Sequence, residues 1–232
     1  MNEAERTAST HPHCYAYPHP AVTTDVVLFT LREGKLQLLL IRRGGEPFAG
    51  AWALPGGFLE IDEDLPHCAQ RELEEETGIA GVYLEQLFTF GRPGRDPRER
   101  VISVAYYALT PSEGLTLRPA SDAAEARWFP VGNLPPLAFD HDEIIRTAHQ
   151  RLVAKLDYST IAFQFLPETF TLSELQAVYE TLLDAELDKR NFRKWALALD
   201  QIEETGELRR RGNHRPARVY RLKNRERVDY LK

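Results

Sequence analysis

The sequence predicts an α+β fold in which a mixed sheet flanked by helices precedes a small helix-turn-helix domain. β-Branched and apolar runs at residues 22–30 and 35–41, split by a short Gly-containing turn, predict an opening hairpin. Apolar residues at helical spacing predict a helix over residues 64–77. Two further helical patterns joined by a short turn, at residues 171–183 and 189–199, predict the second domain.

The rest of the first domain alternates strand and helix patterns. Gly78 is expected to end the first helix as a C-terminal cap. Further strands are predicted at residues 82–90, 101–109 and 126–130, and an amphipathic helix at about 142–156. Residues 159–167 resemble a junction. The expected organisation is a flexible tail (1–20), a first domain (21–157) and a second domain (158–232).

Composition and charge limit the possible classes of protein. No apolar run approaches the roughly 20 residues that span a bilayer, so a cytoplasmic protein without membrane contact is expected. Two cysteines, Cys14 and Cys68, are too few for a disulfide framework. The formal net charge is -6, yet residues 206–232 contain ten Lys or Arg against three acidic residues. The C-terminal end is therefore a candidate surface for a polyanion.

The predicted first helix carries a cluster of acidic residues. Glu72, Glu75 and Glu76 stand at positions i, i+3 and i+4, so their carboxylates converge on one side of a helix. A solvated acidic face is the alternative, but the Gly-rich loop before the helix favours a metal site. Hard oxygen ligands with open positions suit Mg²⁺, or Mn²⁺, and Gly57 leaves its backbone carbonyl free to approach the ion.

The spacing of these residues is that of a known signature. Nine constrained positions, from Gly57 through Glu63 to the segment 71–79, match the signature of the Nudix superfamily, which the chain therefore resembles. The resemblance implies an α/β/α sandwich and hydrolysis of a nucleoside diphosphate derivative by metal-activated water. The implied catalytic residues are Glu75, Glu76 and Arg71, and the implied metal ligands are Gly57, Glu72, Glu75 and Glu76. The general base is left open among Glu75, Glu76 and four downstream candidates, Asp122, Glu125, His141 and Glu143.

Two stretches outside the signature indicate which branch of the Nudix superfamily the chain resembles. Residues 48–58 and 90–98 are similar to the ADP-ribose pyrophosphatase branch, whereas Arg92 and Glu99 depart from its usual pattern. The expected substrate-binding residues are aromatic rings that could stack on adenine and arginines that could contact phosphates. The alternative is that these rings belong to the core and these arginines are solvated. The residues in question are Arg42, Arg43, Phe48, Phe90 and Arg95.

The second domain combines a capped helix with a basic helix and a basic hairpin. Thr171 and Glu174 form a capping pattern, and cations line the start of the following helix, where a recognition helix meets DNA. This arrangement resembles the winged helix-turn-helix of Nudix-related transcriptional regulators of NAD metabolism, which implies duplex DNA and a homodimer as partners. The expected DNA-binding residues are Lys189, Arg190, Arg193, Lys194, Arg209, Arg210, Arg211, Arg215 and Arg218.

Two functions of different classes follow from these patterns. The first is a Mg²⁺-dependent hydrolase of ADP-ribose, in which Glu75→Gln is expected to abolish turnover while leaving the fold intact. The second is a transcriptional regulator whose Nudix domain senses such a nucleotide with little or no hydrolysis. The intact carboxylates favour hydrolysis and the basic hairpin favours DNA binding, so we expect a Nudix domain competent for ADP-ribose joined to a DNA-binding module.

Overall fold

The computed structural model describes residues 17–113, 115, 117, 123–210, 216–225 and 227–231. Within these residues the first half of the chain forms a seven-stranded mixed sheet. Its strands are β1 (Ala21–Arg32), β2 (Lys35–Arg43), β3 (Trp52–Ala53), β4 (Gly56–Phe58), β5 (Tyr83–Phe90), β6 (Val101–Leu109) and β7 (Ala123–Pro130). The strand order is β3-β2-β1-β6-β5, while β4 pairs with β1 and β7 with β2. Only the β1–β6 pairing in this described sheet is parallel.

Two helices cover the opposite faces of this sheet. They are α1 (Leu65–Thr77) and α2 (His141–Lys155). Because side chains alternate along a strand, Val26 and Leu28 of β1 pack in the apolar cluster that contains α1, while Val27 and Phe29 face the cluster that contains α2. The predicted α/β/α sandwich is confirmed.

Local chemistry sets the ends of α1. The Asp64 side chain accepts a hydrogen bond from the backbone N–H of His67, and Gly78 ends the helix in the left-handed conformation at φ 75°. The carboxylate satisfies one of the free N–H groups at the start, and glycine adopts the terminal conformation without steric cost. These two caps fix the position of the acidic face relative to the sheet.

The second half of the chain is a winged helix. After a 3-10 helix (Ile161–Phe165) come β8 (Thr169–Thr171), α3 (Leu172–Leu183), α4 (Lys189–Ala198), β9 (Ile202–Arg209) and β10 (Ala217–Leu222). The strands form a small antiparallel sheet in the order β8-β10-β9. The predicted capping box is present, since the Thr171 hydroxyl accepts from the Glu174 N–H and the Glu174 carboxylate accepts from the Thr171 N–H. The predicted fold class is thereby confirmed.

The segment expected to be a junction is buried. All five residues of the 3-10 helix are buried, and its apolar residues belong to the cluster that also contains α2, one face of the first sheet, and α3. The Phe163 and Phe170 rings, for example, contact each other with centroids 5.6 Å apart. The expected junction at residues 159–167 therefore contributes apolar residues to the core. The two halves therefore share one core.

No helix in the described part of the chain combines the length and the apolarity that crossing a bilayer requires.

Candidate functional site

A cleft of about 580 Å³ opens beside α1. Carboxylates of α1 line one wall, namely Glu72, Glu75 and Glu76. Another part is lined by the guanidinium groups of Arg43 and Arg98 and by the aromatic ring of Phe139. Ligand cavities commonly have a volume of roughly 300–1,000 Å³, so the cleft is large enough for a nucleotide.

Arg71 organises the acidic wall. Its Nε donates to Glu63 Oε2 at 3.0 Å and its Nη2 to Glu63 Oε1 at 2.5 Å. Its Nη1 donates to Glu72 Oε1 at 2.7 Å and to Glu75 Oε2 at 3.3 Å. The guanidinium thus holds three carboxylates around itself, and its hydrogen bonds lower the pKa of Glu63 to about 2.

This lowered pKa predicts a loss of stability in acid. Because the pKa of Glu63 falls from 4.5 to about 2 on folding, its contribution to the free energy of unfolding is present above pH 4.5 and is lost as the pH falls towards 2. Urea unfolding of the Glu63→Gln variant should therefore depend less on pH over this range than that of the wild type. Glu74→Gln, at an exposed position on α1, is the control, and identical pH profiles for wild type and Glu63→Gln would contradict the prediction.

Glu76 is the buried carboxylate of the cleft. It is 8% exposed, and its Oε2 accepts the Gly56 N–H at 2.9 Å. Burial raises its pKa to about 8, and the negative charges of Glu72 and Asp25 add to the rise. Burial also raises the pKa of Glu72. Burial thus disfavours the charged form of both carboxyls, and a cation in the cleft would restore it.

The three α1 carboxylates do not form a ready-made cluster. Among the described residues, no three His, Cys, Asp or Glu side chains are grouped closely enough to hold a metal ion. The expected convergence is incomplete because Arg71 engages Glu72 and Glu75 while Glu76 accepts the Gly56 N–H. The donor set nevertheless fits a cation. It is rich in hard oxygens. A Cβ at Gly57 would lie only 2.3 Å from Glu72 Oε1, so a larger residue there would displace this carboxylate.

A buried ionic network forms the floor of the cleft. Arg95 donates from Nη2 to Asp140 Oδ1 at 2.7 Å and to Asp25 Oδ2 at 3.4 Å, and its side chain is only 4% exposed. Asp25 also lies 3.4 Å from His141 Nε2, and His141 Nδ1 accepts the Leu54 N–H at 2.9 Å. Two carboxylates therefore already engage the charge of Arg95, and its expected role at a phosphate stays a prediction.

Three other residues expected to bind substrate lie outside the cleft. Phe90 is 7% exposed within the core, Arg42 points outward with Nη1 3.9 Å from Glu125, and Phe48 lines a separate cavity. The sequence pattern could not distinguish these positions, because tertiary packing decides which strand and loop side chains line the cleft. Arg43 is the one expected substrate residue, apart from buried Arg95, that lines the cleft.

Two cleft residues were missed from the sequence. Arg98 packs over the Phe58 ring at 5.1 Å and is held by Asp96, whose carboxylate accepts from its Nη2 at 2.7 Å. Phe139 lies under the guanidinium of Arg43 at 4.9 Å. The sequence signal for Arg98 was the segment Arg-Asp-Pro-Arg at residues 95–98. This segment does not indicate which of its two arginines faces the cleft.

The expected DNA-binding residues divide into two groups. Lys189, Arg190, Arg193 and Lys194 are all exposed on α4, and none has a carboxylate within 4.0 Å among the described residues. Arg210 is also exposed. In contrast, Arg209 pairs with Glu174 at 3.2 Å and Arg218 with Glu204 at 2.9 Å, so both of these cations of the wing, the hairpin of β9 and β10, have acidic partners. Arg211 and Arg215 lie outside the described residues.

Comparison with known proteins agrees with this architecture. Residues 20–148 match the NUDIX domain model, and residues 162–222 match that of the NrtR DNA-binding winged helix domain. The chain is 37% identical over 210 residues to the ADPR responsive transcriptional repressor NtrR of Acinetobacter baylyi, covering 89% of this chain and 83% of that protein. The chain belongs to the NrtR family of Nudix proteins.

Two further relatives of this NrtR-family chain are informative. The Nudix half is 42% identical over 130 residues to the ADP-ribose pyrophosphatase of Methanocaldococcus jannaschii, covering 56% of this chain and 73% of that protein. The crystal structure of Shewanella oneidensis NrtR complexed with a 27mer DNA matches with a TM-score of 0.78 at 38% identity, over 87% of this chain and 93% of that one. Nudix hydrolases generally use divalent metal ions.

In this NrtR-family chain, the downstream candidates for a general base occupy different environments. His141 is buried, Glu125 lies beside Arg42 outside the cleft, and Glu143 pairs with Arg92. Asp122 lies outside the described residues. Of the three described candidates, His141 lines the cleft, and burial lowers its pKa.

Proposed function

We propose that the chain is a DNA-binding protein whose Nudix half binds ADP-ribose and hydrolyses it with a divalent metal. The observation that carries the proposal is the cleft itself, with carboxylates on one wall and the guanidinium groups of Arg43 and Arg98 on another. A metal on the acidic wall and arginines opposite would together neutralise a diphosphate. The names of the repressor and the pyrophosphatase support ADP-ribose as the nucleotide.

The exposed cations of α4 support the DNA-binding part. Four exposed Lys and Arg residues on one short helix, next to a wing, match the way a winged helix presents its recognition helix to duplex DNA. Such cations bind phosphates by releasing counterions, so the affinity should fall steeply with salt. The Shewanella structure with DNA supports the same assignment.

Hydrolysis would use the acidic wall. Glu72, Glu75 and Glu76, with the Gly57 carbonyl, would hold Mg²⁺, or Mn²⁺, which supplies charge neutralisation at the diphosphate and a more acidic water. Glu76, the buried carboxylate of this wall, or its neighbour Glu75 would take the proton of the attacking water. Arg71 keeps Glu72 and Glu75 oriented on the side of the cleft.

A nucleotide sensor without hydrolysis is the second candidate. The observation that favours it is Arg71, whose contacts occupy Glu72 and Glu75 and leave no ready-made metal cluster in the described chain. In a sensor the guanidinium would remain there when ADP-ribose binds. Phosphate release from ADP-ribose, assayed with a phosphatase that acts on the products, separates the two candidates.

A fluorescence-anisotropy titration tests the combined function. The full chain is titrated with labelled duplex DNA at several salt concentrations, with and without ADP-ribose. We expect measurable DNA affinity at low salt, and a change of roughly 5–150-fold in that affinity when ADP-ribose is present, which is the usual range of coupling between two sites. Absence of DNA binding at low salt would exclude DNA binding from the function. A DNA affinity that is the same with and without ADP-ribose would exclude coupling between the two sites.

Arg98→Ala should weaken ADP-ribose binding by about tenfold or more, because a hydrogen bond to a charged group contributes roughly 1.5–3 kcal/mol. The loss should appear mainly in Kd or KM, since the guanidinium faces the bound diphosphate in both ground and transition states. Arg42→Ala is the matched control, because Arg42 neighbours Arg43 on β2 but lies outside the cleft. Calorimetry that finds equal affinities in the two variants would exclude Arg98 as a phosphate ligand.

A further inference from the structure

A pocket of about 450 Å³ lies where the end of α2 meets α3 and α4. Leu156 and Asp157 line it from the Nudix half, and Tyr179 lines it from α3. It shares no lining residue with the carboxylate cleft, so it is a separate site. The remaining lining residues come from α4 and the turn before it, namely Leu187, Asp188, Asn191, Phe192 and Trp195.

α4 turns one face to this pocket and another face to the wing. Its lining residues stand at positions i, i+3, i+4 and i+7 counted from Asp188, so they share one side of the helix. Lys189 and Arg193 instead line a different cavity, beside the wing. The pocket therefore lies away from these two cations.

Three aromatic rings contact one another at the pocket. The centroid of the Tyr179 ring lies 5.5 Å from that of Phe192 and 5.1 Å from that of Trp195. Tyr179 and Phe192 are buried, whereas Trp195 is 37% exposed. The faces of aromatic rings attract cations, and tryptophan does so most strongly. The accessible indole thus offers a surface to an apolar or a cationic group.

The charged residues that line the pocket are both acidic. Asp157 and Asp188 are exposed, and neither forms an ion pair with any residue that the structure describes. Lys155, the nearest lysine to Asp157 in the sequence, is paired with Glu85 at 2.6 Å. A rim with two carboxylates repels phosphates and attracts a cation.

The Tyr179 hydroxyl is buried and has no hydrogen-bond partner in the described part of the chain. Burial raises the pKa of Tyr179, and the negative charge of Asp157 adds to the rise. Buried polar groups are nearly always hydrogen-bonded, so an unpaired hydroxyl beside a pocket indicates a missing partner. A ligand that carries a polar group would supply one.

We propose that this pocket binds a small organic cation, an apolar body with one positive charge and one hydrogen-bonding group. The charge would lie between the indole of Trp195 and the carboxylates of Asp157 and Asp188. A metal ion fits less well, because it prefers several oxygen ligands and much of this lining is apolar. A neutral ligand would leave both carboxylates without a counter-charge. The site does not depend on the function proposed for the carboxylate cleft.

Choline and its neutral isostere 3,3-dimethylbutan-1-ol test the need for a charge. The two molecules have nearly the same shape and the same hydroxyl group, but only choline is charged. The full chain is titrated with each, and the indole N–H signals are followed by NMR, with Trp195→Phe to assign the Trp195 signal. That signal should shift saturably, and choline should bind about fivefold more tightly than the isostere, or better. The signals of Trp52 and Trp128 should stay in place.

Neutral variants locate the site. In the Asp157→Asn, Asp188→Asn double variant, the affinities for choline and the isostere should agree within about twofold. Asparagine can still cap α4, where Asp188 accepts the Asn191 N–H at 2.8 Å. The matched control is the Asp184→Asn, Glu186→Gln double variant, which removes two exposed carboxylates of the same region that do not line the pocket. It should keep the wild-type preference for choline.

Three results would overturn the proposal. The first is a wild type that binds the two isosteres equally, or whose Trp195 signal does not move with choline. The second is a loss of preference in both double variants, which would show an effect of net charge. The third is a dimer that sedimentation detects and that Trp195→Glu dissociates, because a second copy of the chain would then cover the pocket.

Discussion

Glu76→Gln is expected to lower kcat for ADP-ribose hydrolysis by about 10²–10⁴-fold. The amide has the size of the carboxylate, and its carbonyl can still accept the Gly56 N–H, so the local structure should persist. It carries no negative charge for a metal and cannot take a proton from water. A coupled phosphate-release assay at saturating Mg²⁺ measures the effect. Glu75→Gln, expected from the sequence alone to abolish turnover, is assayed in parallel.

Glu74→Gln provides the matched control for both variants. Glu74 belongs to the same acidic helix and is exposed, but it does not line the cleft. Its turnover should remain within about twofold of the wild type, as is usual for surface substitutions. A Glu76→Gln enzyme with wild-type kcat and an unchanged metal requirement would show that the chemistry lies elsewhere.

Replacing the four cations of α4 by alanine should reduce the affinity for duplex DNA by about 100-fold or more at low salt. The slope of log K against log[salt] should become shallower by about 0.9 for each DNA phosphate that is no longer neutralised, or by about 3.6 if all four cations bind phosphates. The replaced residues are Lys189, Arg190, Arg193 and Lys194. Anisotropy titrations over a range of salt concentrations give both quantities.

A variant with the same change in charge elsewhere tests whether position matters. Four cations of the Nudix half serve this purpose, namely Lys35, Arg42, Arg127 and Arg151. Their replacement should leave the salt slope close to that of the wild type. If both variants lose the same affinity, the effect reflects net charge alone, and α4 is not the recognition helix.

The elements predicted from the sequence are those specified by local chemistry. The bounds of α1 agree with the prediction to within one residue because Asp64 and Gly78 act on the helix ends directly. The capping box of α3 is similarly local. By contrast, β3, β4 and β8 have only two or three residues each, too few to show a periodicity, and they form because neighbouring strands pair with them.

The acidic wall could be predicted, but the opposite wall could not. The three carboxylates share one helix, so their spacing predicts a common side. Arg98 and Phe139 reach the cleft from loops 41 residues apart in sequence, and only tertiary packing brings them together. Likewise, the burial of Arg95 depends on Asp25, which is 70 residues away in the chain. Residue type alone could not distinguish this buried, paired arginine from an exposed one.

The burial of the 3-10 helix between the two halves affects how a displacement in the Nudix half reaches the winged helix. Close-packed interiors deform little and transmit displacement, whereas a solvated tether absorbs it. A displacement of α2 can therefore pass through the shared apolar core to the 3-10 helix and, by the contact of Phe163 with Phe170, to β8. Within the described residues, the Nudix half and the winged helix meet through packed side chains, so a displacement in one half is transmitted to the other.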